Sequence, residues 1–236
     1  NSDAIKTLAA ELPGRGPKVL PIGNKPTLTL PQLHYTQAEA RALATLRGLG
    51  VEGPETAGAI YGTLGFGTVA GFDCWILSDK SRKLAEARRL DGKMFPAIGN
   101  LGERKSHTLK GSCKSWPLGM SIKVSVPAGF PVVIVEGSPD YLAACEIAFH
   151  AKREFLPVAM LGASQAIHPD ALEWFKGRDV LILAHPDAAG LASAKKWAGQ
   201  LKQAGANPIG RQLEGGDLCD LVKLHGGKAV AALLNL

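Results

Sequence analysis

The sequence predicts an α/β protein, with a parallel sheet flanked by helices in the C-terminal half and a smaller, basic α+β domain before it. Three observations predict it. Residues 132–135 (VVIV) and 179–184 (DVLILA) are apolar runs without polar alternation, the pattern of strands buried on both faces of a parallel sheet. Through residues 131–236 such runs alternate with helix-period segments, a βαβαβα order that calls for right-handed crossovers and helices on both faces. The charge is also divided. Residues 1–130 hold 17 Lys/Arg against 10 Asp/Glu, whereas residues 131–236 hold 10 against 11. A basic half joined to a nearly neutral one suggests a polyanion partner for the first, and a solvated face that aids solubility is the plain alternative.

The chain of 236 residues is long enough for one large domain or two small ones. With 46% apolar and 20% charged residues its composition is that of a globular protein, and no apolar run approaches membrane-spanning length. It starts at Asn1 without a signal-peptide pattern, which predicts a piece of a longer chain. Cys74, Cys113, Cys145 and Cys219 are far apart, with no CxxC pair, so neither a structural zinc nor a disulfide framework is expected, and reduced thiols in a cytoplasmic protein fit the pattern.

In chain order, residues 1–32 read as a weak helix and a Pro/Gly-rich linker. Residues 36–49 read as a helix: Thr36 and Glu39 make a capping box, and Leu43, Leu46 and Leu49 recur at helical spacing. A short helix is expected over 54–61. The run GTLGFGTVAG after it fits neither GxxxxGK[ST] nor GxGxxG and reads as turns. Residues 72–77 and 84–90 form a hairpin around SDKSR, ending in Arg88 and Arg89. A basic, glycine-punctuated stretch follows with Lys105, Lys110, Lys114 and Trp116. Its cations suit phosphate oxygens, and the indole either stacks on a base or plugs the domain junction.

Strand 132–135 then runs into Glu136, with Ser138 as the expected N-cap of helix 139–150, Pro139 at its first position and Leu142, Cys145 and Phe149 on one face. A strand near 156–160, a helix around 169–176, strand 179–184, a long helix 188–204, a strand near 208–213 and C-terminal helices complete the chain. The chemistry concentrates where strands end. Glu136 follows the first apolar strand, His185, Pro186 and Asp187 follow the second, and in a parallel sheet both emerge at the edge where ligands bind. Asp217 and Asp220, three residues apart, fall on one side of a helical turn. Such acids converging without basic partners repel one another unless a divalent cation neutralises them, and hard oxygen donors suit magnesium or manganese. Each acid also has a plain role as a helix-start residue, and Asp140 is better explained that way than as part of the site. The remaining histidines lack ligand-like spacing.

These residues resemble a Toprim domain, the metal-binding module of bacterial-type DNA primases, topoisomerases and some nucleases. The family pattern is a strand ending in Glu-Gly and a strand ending in Asp-x-Asp-x-x-Gly. Here Glu136-Gly137 and the run from His185 to Gly190 stand in those places. Asp217-Leu218-Cys219-Asp220 is similar to a later Asp-Pro-x-Asp element of primases. Arg47-Gly48-Leu49, Arg88 to Gly92, and Lys110-Gly111-Ser112 through Trp116 resemble the basic domain that precedes Toprim in primases of bacteriophages, prophages and plasmids. The departure is His185, where most of the superfamily carries aspartate, and imidazole suits manganese or zinc better than magnesium.

The resemblance implies three segments: an extension over 1–32, a basic subdomain over 33–130, and a Toprim domain with C-terminal helices over 131–236. It implies a nucleotidyltransferase that makes short RNA primers from NTPs on single-stranded DNA in the cytoplasm of a bacterial cell, alongside a replicative helicase module. Glu136 and Asp187 would be catalytic. Glu136, His185, Asp187, Asp217 and Asp220 would hold divalent Mg or Mn, and Arg88, Arg89, Lys105, Lys110, Lys114 and Trp116 would bind nucleic acid or NTP. The alternatives are a Toprim nuclease or topoisomerase-like enzyme and a non-catalytic DNA-binding module. None of Tyr35, Tyr61 and Tyr141 stands in a context recognisable for topoisomerase chemistry.

Overall fold

The computed structural model describes residues 27–122, 125–162 and 164–236. The helix and most of the linker expected over 1–32 therefore lie outside the described residues. Within residues 27–32, Leu28 is buried and the Thr29 N–H donates to Lys110 O at 3.4 Å.

Helix α1 (Gln37–Arg47) starts as its capping box predicts: Thr36 Oγ1 accepts the Glu39 N–H at 3.2 Å and donates to the Glu39 carboxylate at 2.6 Å. Gly48 closes it in a left-handed cap. Helix α2 (Glu52–Glu55) continues into a π-helical turn, Thr56–Ile60. Four strands then form an antiparallel meander in the order β1 (Leu64–Val69), β2 (Phe72–Ser78), β3 (Ala85–Arg89) and β4 (His107–Thr108). The hairpin of β2 and β3 has the predicted place. The glycine-rich run does not form only turns, because most of it is β1. Gly67 serves close approach: a Cβ there would lie 2.7 Å from the carbonyl oxygen of Gln32, whose segment crosses the strand.

The second sheet is entirely parallel, in the order β6-β5-β7-β8: β5 (Val132–Glu136), β6 (Leu156–Met160), β7 (Asp179–Ala184) and β8 (Asn207–Gln212). Helices α3 (Ser138–His150), α4 (Pro169–Phe175), α5 (Ala188–Gln203), α6 (Leu218–His225) and α7 (Gly227–Leu234) surround it. Val132, Val133, Ile134 and Val135 are all at most 2% exposed, the doubly covered strand that their unbroken apolarity predicts. Ser138 is not the N-cap of α3. Gly137 is, and Pro139 takes the second helical position. Leu142 and Cys145 are buried, but Phe149, on the last turn, remains 42% exposed.

The fold is thus mixed α/β, with the parallel sheet following a smaller antiparallel one. The two share a continuous core: Phe66, Trp75, Leu77 and Leu84 of the meander pack in one cluster with Leu142, Val158 and Ile134. The connecting segment adds a rung to the parallel sheet's edge, where Leu118 and Ala159 exchange N–H···O bonds at 2.9 and 3.0 Å. On the meander's other face, Leu28, Ile76, Ala85, Ala87, Phe95 and Leu109 form a separate small core. No helix of the described residues is long and apolar enough to cross a membrane.

Candidate functional site

Strand register sets the site. Val132 pairs with Val180 and Ile134 with Ile182, so β5 and β7 end at nearly the same height and deliver Glu136 and His185 to one edge. Gly137 follows Glu136 with φ 86° and ψ 165°, a region essentially closed to other residues, and so turns the chain directly into α3. The first turn of α3 then brings Asp140, 2% exposed, under His185. Asp217 is the N-cap of α6, accepting the Asp220 N–H at 2.8 Å.

Asp140, His185 and Asp217 offer donor atoms that all lie within 4.8 Å of one another. Asp140 Oδ2 is 2.6 Å from His185 Nε2, and Oδ1 accepts the Cys219 N–H at 3.0 Å. The hydrogen bond to Asp140 is the main cause that lifts the His185 pKa to about 9, against burial. Burial raises the Asp140 carboxyl above its ordinary range, while His185 and the Cys219 amide pull it back. Burial also raises Glu136, with His185 opposing and Asp187 and Asp140 adding to the rise.

Glu136, Asp140, His185 and Asp217 line a cleft of about 470 Å³. Arg47, Arg88, Arg89, Lys93 and Lys105 line it too, so the acidic cluster does have basic partners, supplied by the other half of the chain. Burial lowers the Arg88 pKa, an effect that Glu86 opposes and the nearby Arg47 reinforces. The Nε atoms of Arg47 and Arg88 are both buried without a hydrogen-bond partner among the described residues. Two guanidiniums that line one cleft form an anion-binding arrangement through their accessible ends, while the buried Nε of Arg88 faces Glu86. Glu86, 5% exposed, braces this side. It accepts the Ser138 hydroxyl, and its Oε1 is 3.5 Å from Arg88 Nε. Arg89 is engaged by Asp91, with Nε to Oδ1 at 2.9 Å, and stacks 3.8 Å over the Phe72 ring.

Of the residues the sequence singles out, Glu136, His185, Asp217, Arg88, Arg89 and Lys105 meet in this cleft. Asp187 and Asp220 do not join the three-residue cluster. Asp187 caps α5 through the Gly190 N–H at 2.7 Å, and Asp220 is exposed on the first turn of α6. Lys110 and Lys114 are exposed and do not line the cleft. Trp116 is buried at the junction of the sheets, with Nε1 donating to Asp79 at 2.9 Å and Lys83 Nζ 3.6 Å over its ring, so it is a plug and not a stacking platform.

Sequence reasoning passed over Asp140 and Arg47. Asp140 is a first-turn residue as expected, but the same turn points its carboxylate at His185. Its signal was the spacing from Glu136, one helical turn beyond a strand end. Arg47 lay in plain view as the last residue of α1, and nothing local tells where that helix end docks. Tyr61 and Tyr141 are buried, and among the described residues no tyrosine lines the cleft.

No family model and no curated protein matches the chain. Several solved structures share its fold. The RNA polymerase domain of the Mycobacterium tuberculosis primase DnaG, in complex with double-stranded DNA, is similar with a TM-score of 0.55 at 21% identity, over 86% of this chain and 74% of that one. The E. coli primase catalytic core gives 0.53 at 16%, over 85% and 74%. A DnaG primase catalytic domain bound to single-stranded DNA gives 0.51 at 17%, over 86% and 74%. The likeness is one of fold.

Proposed function

We propose that the chain is the catalytic core of a DNA primase, a nucleotidyltransferase that joins NTPs into short RNA primers on a single-stranded DNA template with Mg²⁺ or Mn²⁺. The observation that carries this is one cleft lined both by Asp140, His185 and Asp217 and by the guanidiniums of Arg47 and Arg88. Acids that gather a divalent cation and cations that take phosphates are the two requirements of phosphoryl transfer. The shared fold with primase cores, including those solved with single- and double-stranded DNA, supports it.

The donor set fits a divalent cation: a buried carboxylate (Asp140), a half-buried carboxylate (Asp217) and a half-buried imidazole, with a nitrogen ligand that favours Mn²⁺ over Mg²⁺. When bound, the cation would neutralise charge on the triphosphate and the developing leaving group. Asp140, His185 and Asp217 would hold it. Arg47 and Arg88 orient the phosphates, and Lys93 and Lys105 add positive potential. Glu136, made more basic than an ordinary glutamate, stands at the same edge and is suited to accept the proton of the attacking 3′-hydroxyl. Asp187 keeps that edge negative without entering the cluster. Residues 33–130 would form the basic subdomain and 131–236 the Toprim domain. The chain would work in the bacterial cytoplasm as the primase module of a bacteriophage, prophage or plasmid, beside a replicative helicase.

The experiment is primer synthesis on single-stranded DNA with labelled NTPs and either cation. Synthesis that depends on the cation, drops at least a hundredfold in Asp140→Asn, and falls in Glu136→Gln is the expected result. Undiminished synthesis in Asp140→Asn sinks the assignment, and cation-dependent DNA degradation without incorporation replaces it with a nuclease.

A further inference from the structure

A recess of about 190 Å³ opens at the far end of α3 from the cleft, where the last turn of that helix meets α2 and the π turn Thr56–Ile60. Asp140 in the cleft and Phe149 in the recess are nine residues apart on α3, or roughly 14 Å at the helical rise. The recess is lined by two aromatic side chains, Tyr35 and Phe149, and by two carboxylates, Glu52 and Glu55. The Tyr35 ring lies against the backbone of the π turn, where a Cβ on Gly58 would come within 2.0 Å of it. Burial raises the Tyr35 phenol and the charge of Glu55 adds to the rise, so that carboxylate lies near the ring.

The charge here is unbalanced. No Lys, Arg or His lines the recess. Among the described residues neither glutamate makes an ion pair, and no cation lies over either ring. Glu52 also repels the Glu146 carboxylate, adding to the burial that raises it. General acidity does not explain this, since residues 1–130 hold 17 Lys/Arg against 10 Asp/Glu. The wall is also polar where it is covered. Thr56 is fully buried, and its hydroxyl and that of Tyr35 have no hydrogen-bond partner among the described residues. Buried hydroxyls without partners are uncommon and destabilising, and valine would fill the place of Thr56 without that cost, so the wall is shaped for more than packing.

Size and chemistry narrow the ligand. The recess falls below the roughly 300 Å³ at which small-molecule pockets begin, so it takes one side chain and not a nucleotide. The only three-donor metal group among the described residues is the one in the cleft, so the glutamates lack a third metal ligand. Glu52 and Glu55 stand three residues apart, on one side of a helical turn. Two carboxylates beside aromatic rings suit a planar cation: a guanidinium offers a fork of donors to the acids and a face to the rings.

We propose that this recess is a docking site for an arginine side chain of a partner protein, held by Glu52 and Glu55 beside Tyr35 and Phe149. A partner held there, at the other end of α3, leaves the cleft open.

The probe is an acetylated, amidated AARAA peptide, titrated into isotopically labelled protein while amide shifts are followed by NMR. Saturating shifts at Glu52, Glu55, Ala59 and Phe149 are the expected result. The same peptide with citrulline for arginine keeps the shape and loses the charge, and it should bind about tenfold more weakly. Glu52→Gln/Glu55→Gln should weaken the arginine peptide about tenfold, and Phe149→Ala, which leaves the charge in place, about threefold. Glutamine keeps the volume of glutamate, and an unchanged unfolding temperature is the control. Equal binding of the citrulline peptide, undiminished binding to the double variant, or shifts confined to Asp140, His185 and Asp217 overturn the site. Self-association that the double variant abolishes gives the recess to a second copy of this chain and overturns it too. None of these outcomes bears on primer synthesis, so the reading of the cleft stands or falls separately.

Discussion

Asp140 Oδ2 lies 2.6 Å from His185 Nε2, joining the first turn of α3 to the end of β7 inside the cleft. The pair has a definite pH signature in metal-free protein. The His185 pKa is lifted from 6.5 to about 9. A cationic group with a raised folded-state pKa contributes stability that is full below its unfolded value and is lost as pH rises through the folded one. Stability should therefore fall between about pH 6.5 and 9, by no more than about 3 kcal/mol. Urea unfolding across that range in chelator checks it, and Asp140→Asn should flatten the slope.

A cation that ligates His185 must displace its proton. Mn²⁺ binding should release close to one proton near pH 7.5 and tighten about tenfold per pH unit up to about 9. Calorimetry in two buffers of different ionisation enthalpy measures the release. His185→Asp should bind Mg²⁺ better and abolish most of it, and an unchanged proton count in that variant would remove His185 from the ligand set.

Gly137 has φ 86° and ψ 165°, where a Cβ is strained whatever the space around it. Gly137→Ala should cost about 1–3 kcal/mol in stability. It should also reduce primer synthesis by more than that loss of folded protein explains, because the residue sets the angle between Glu136 and Asp140. Denaturation and activity measured on the same preparation separate the two effects.

Glu146, 3% exposed on α3, accepts the Gly50 N–H at 2.8 Å and the Gly227 N–H at 3.0 Å, tying α3 to the loop after α1 and to the start of α7. Glu146→Ala leaves two amides unsatisfied and should cost about 2–4 kcal/mol. Faster hydrogen exchange at Gly50 and Gly227 would localise the damage.

Glu86 braces Arg88 and Ser138 across the two sheets. Glu86→Gln keeps an acceptor for Ser138 but removes the charge facing Arg88. It should raise the KM for NTP several-fold while stability changes by about 1 kcal/mol or less, whereas Glu86→Ala should raise the KM and also lower stability by more than that. Steady-state kinetics beside urea unfolding distinguishes them.

Local chemistry made the frame legible. Doubly apolar strands and helix-start signals marked nearly every element of the parallel half, and the Thr36–Glu39 capping box marked α1. β1 was obscured because its glycines answer a neighbouring segment, Gln32 against Gly67, that is remote in sequence. Ser138 looked like a cap, but its hydroxyl found a stronger acceptor in Glu86, 52 residues away.

Which acids stand at strand ends was readable locally, because strand length and helix caps are set within a few residues, and so was the gathering of cations in the first half. Which of them meet was settled by packing between distant segments. Parallel register put Glu136 beside His185, the φ of Gly137 aimed Asp140 into the cluster, and the packing of the antiparallel sheet laid Arg47 and Arg88 opposite. The same packing sent Lys110 and Lys114 to the far end of β3. Those pairings depend on how two sheets share one core, and no local pattern encodes that geometry.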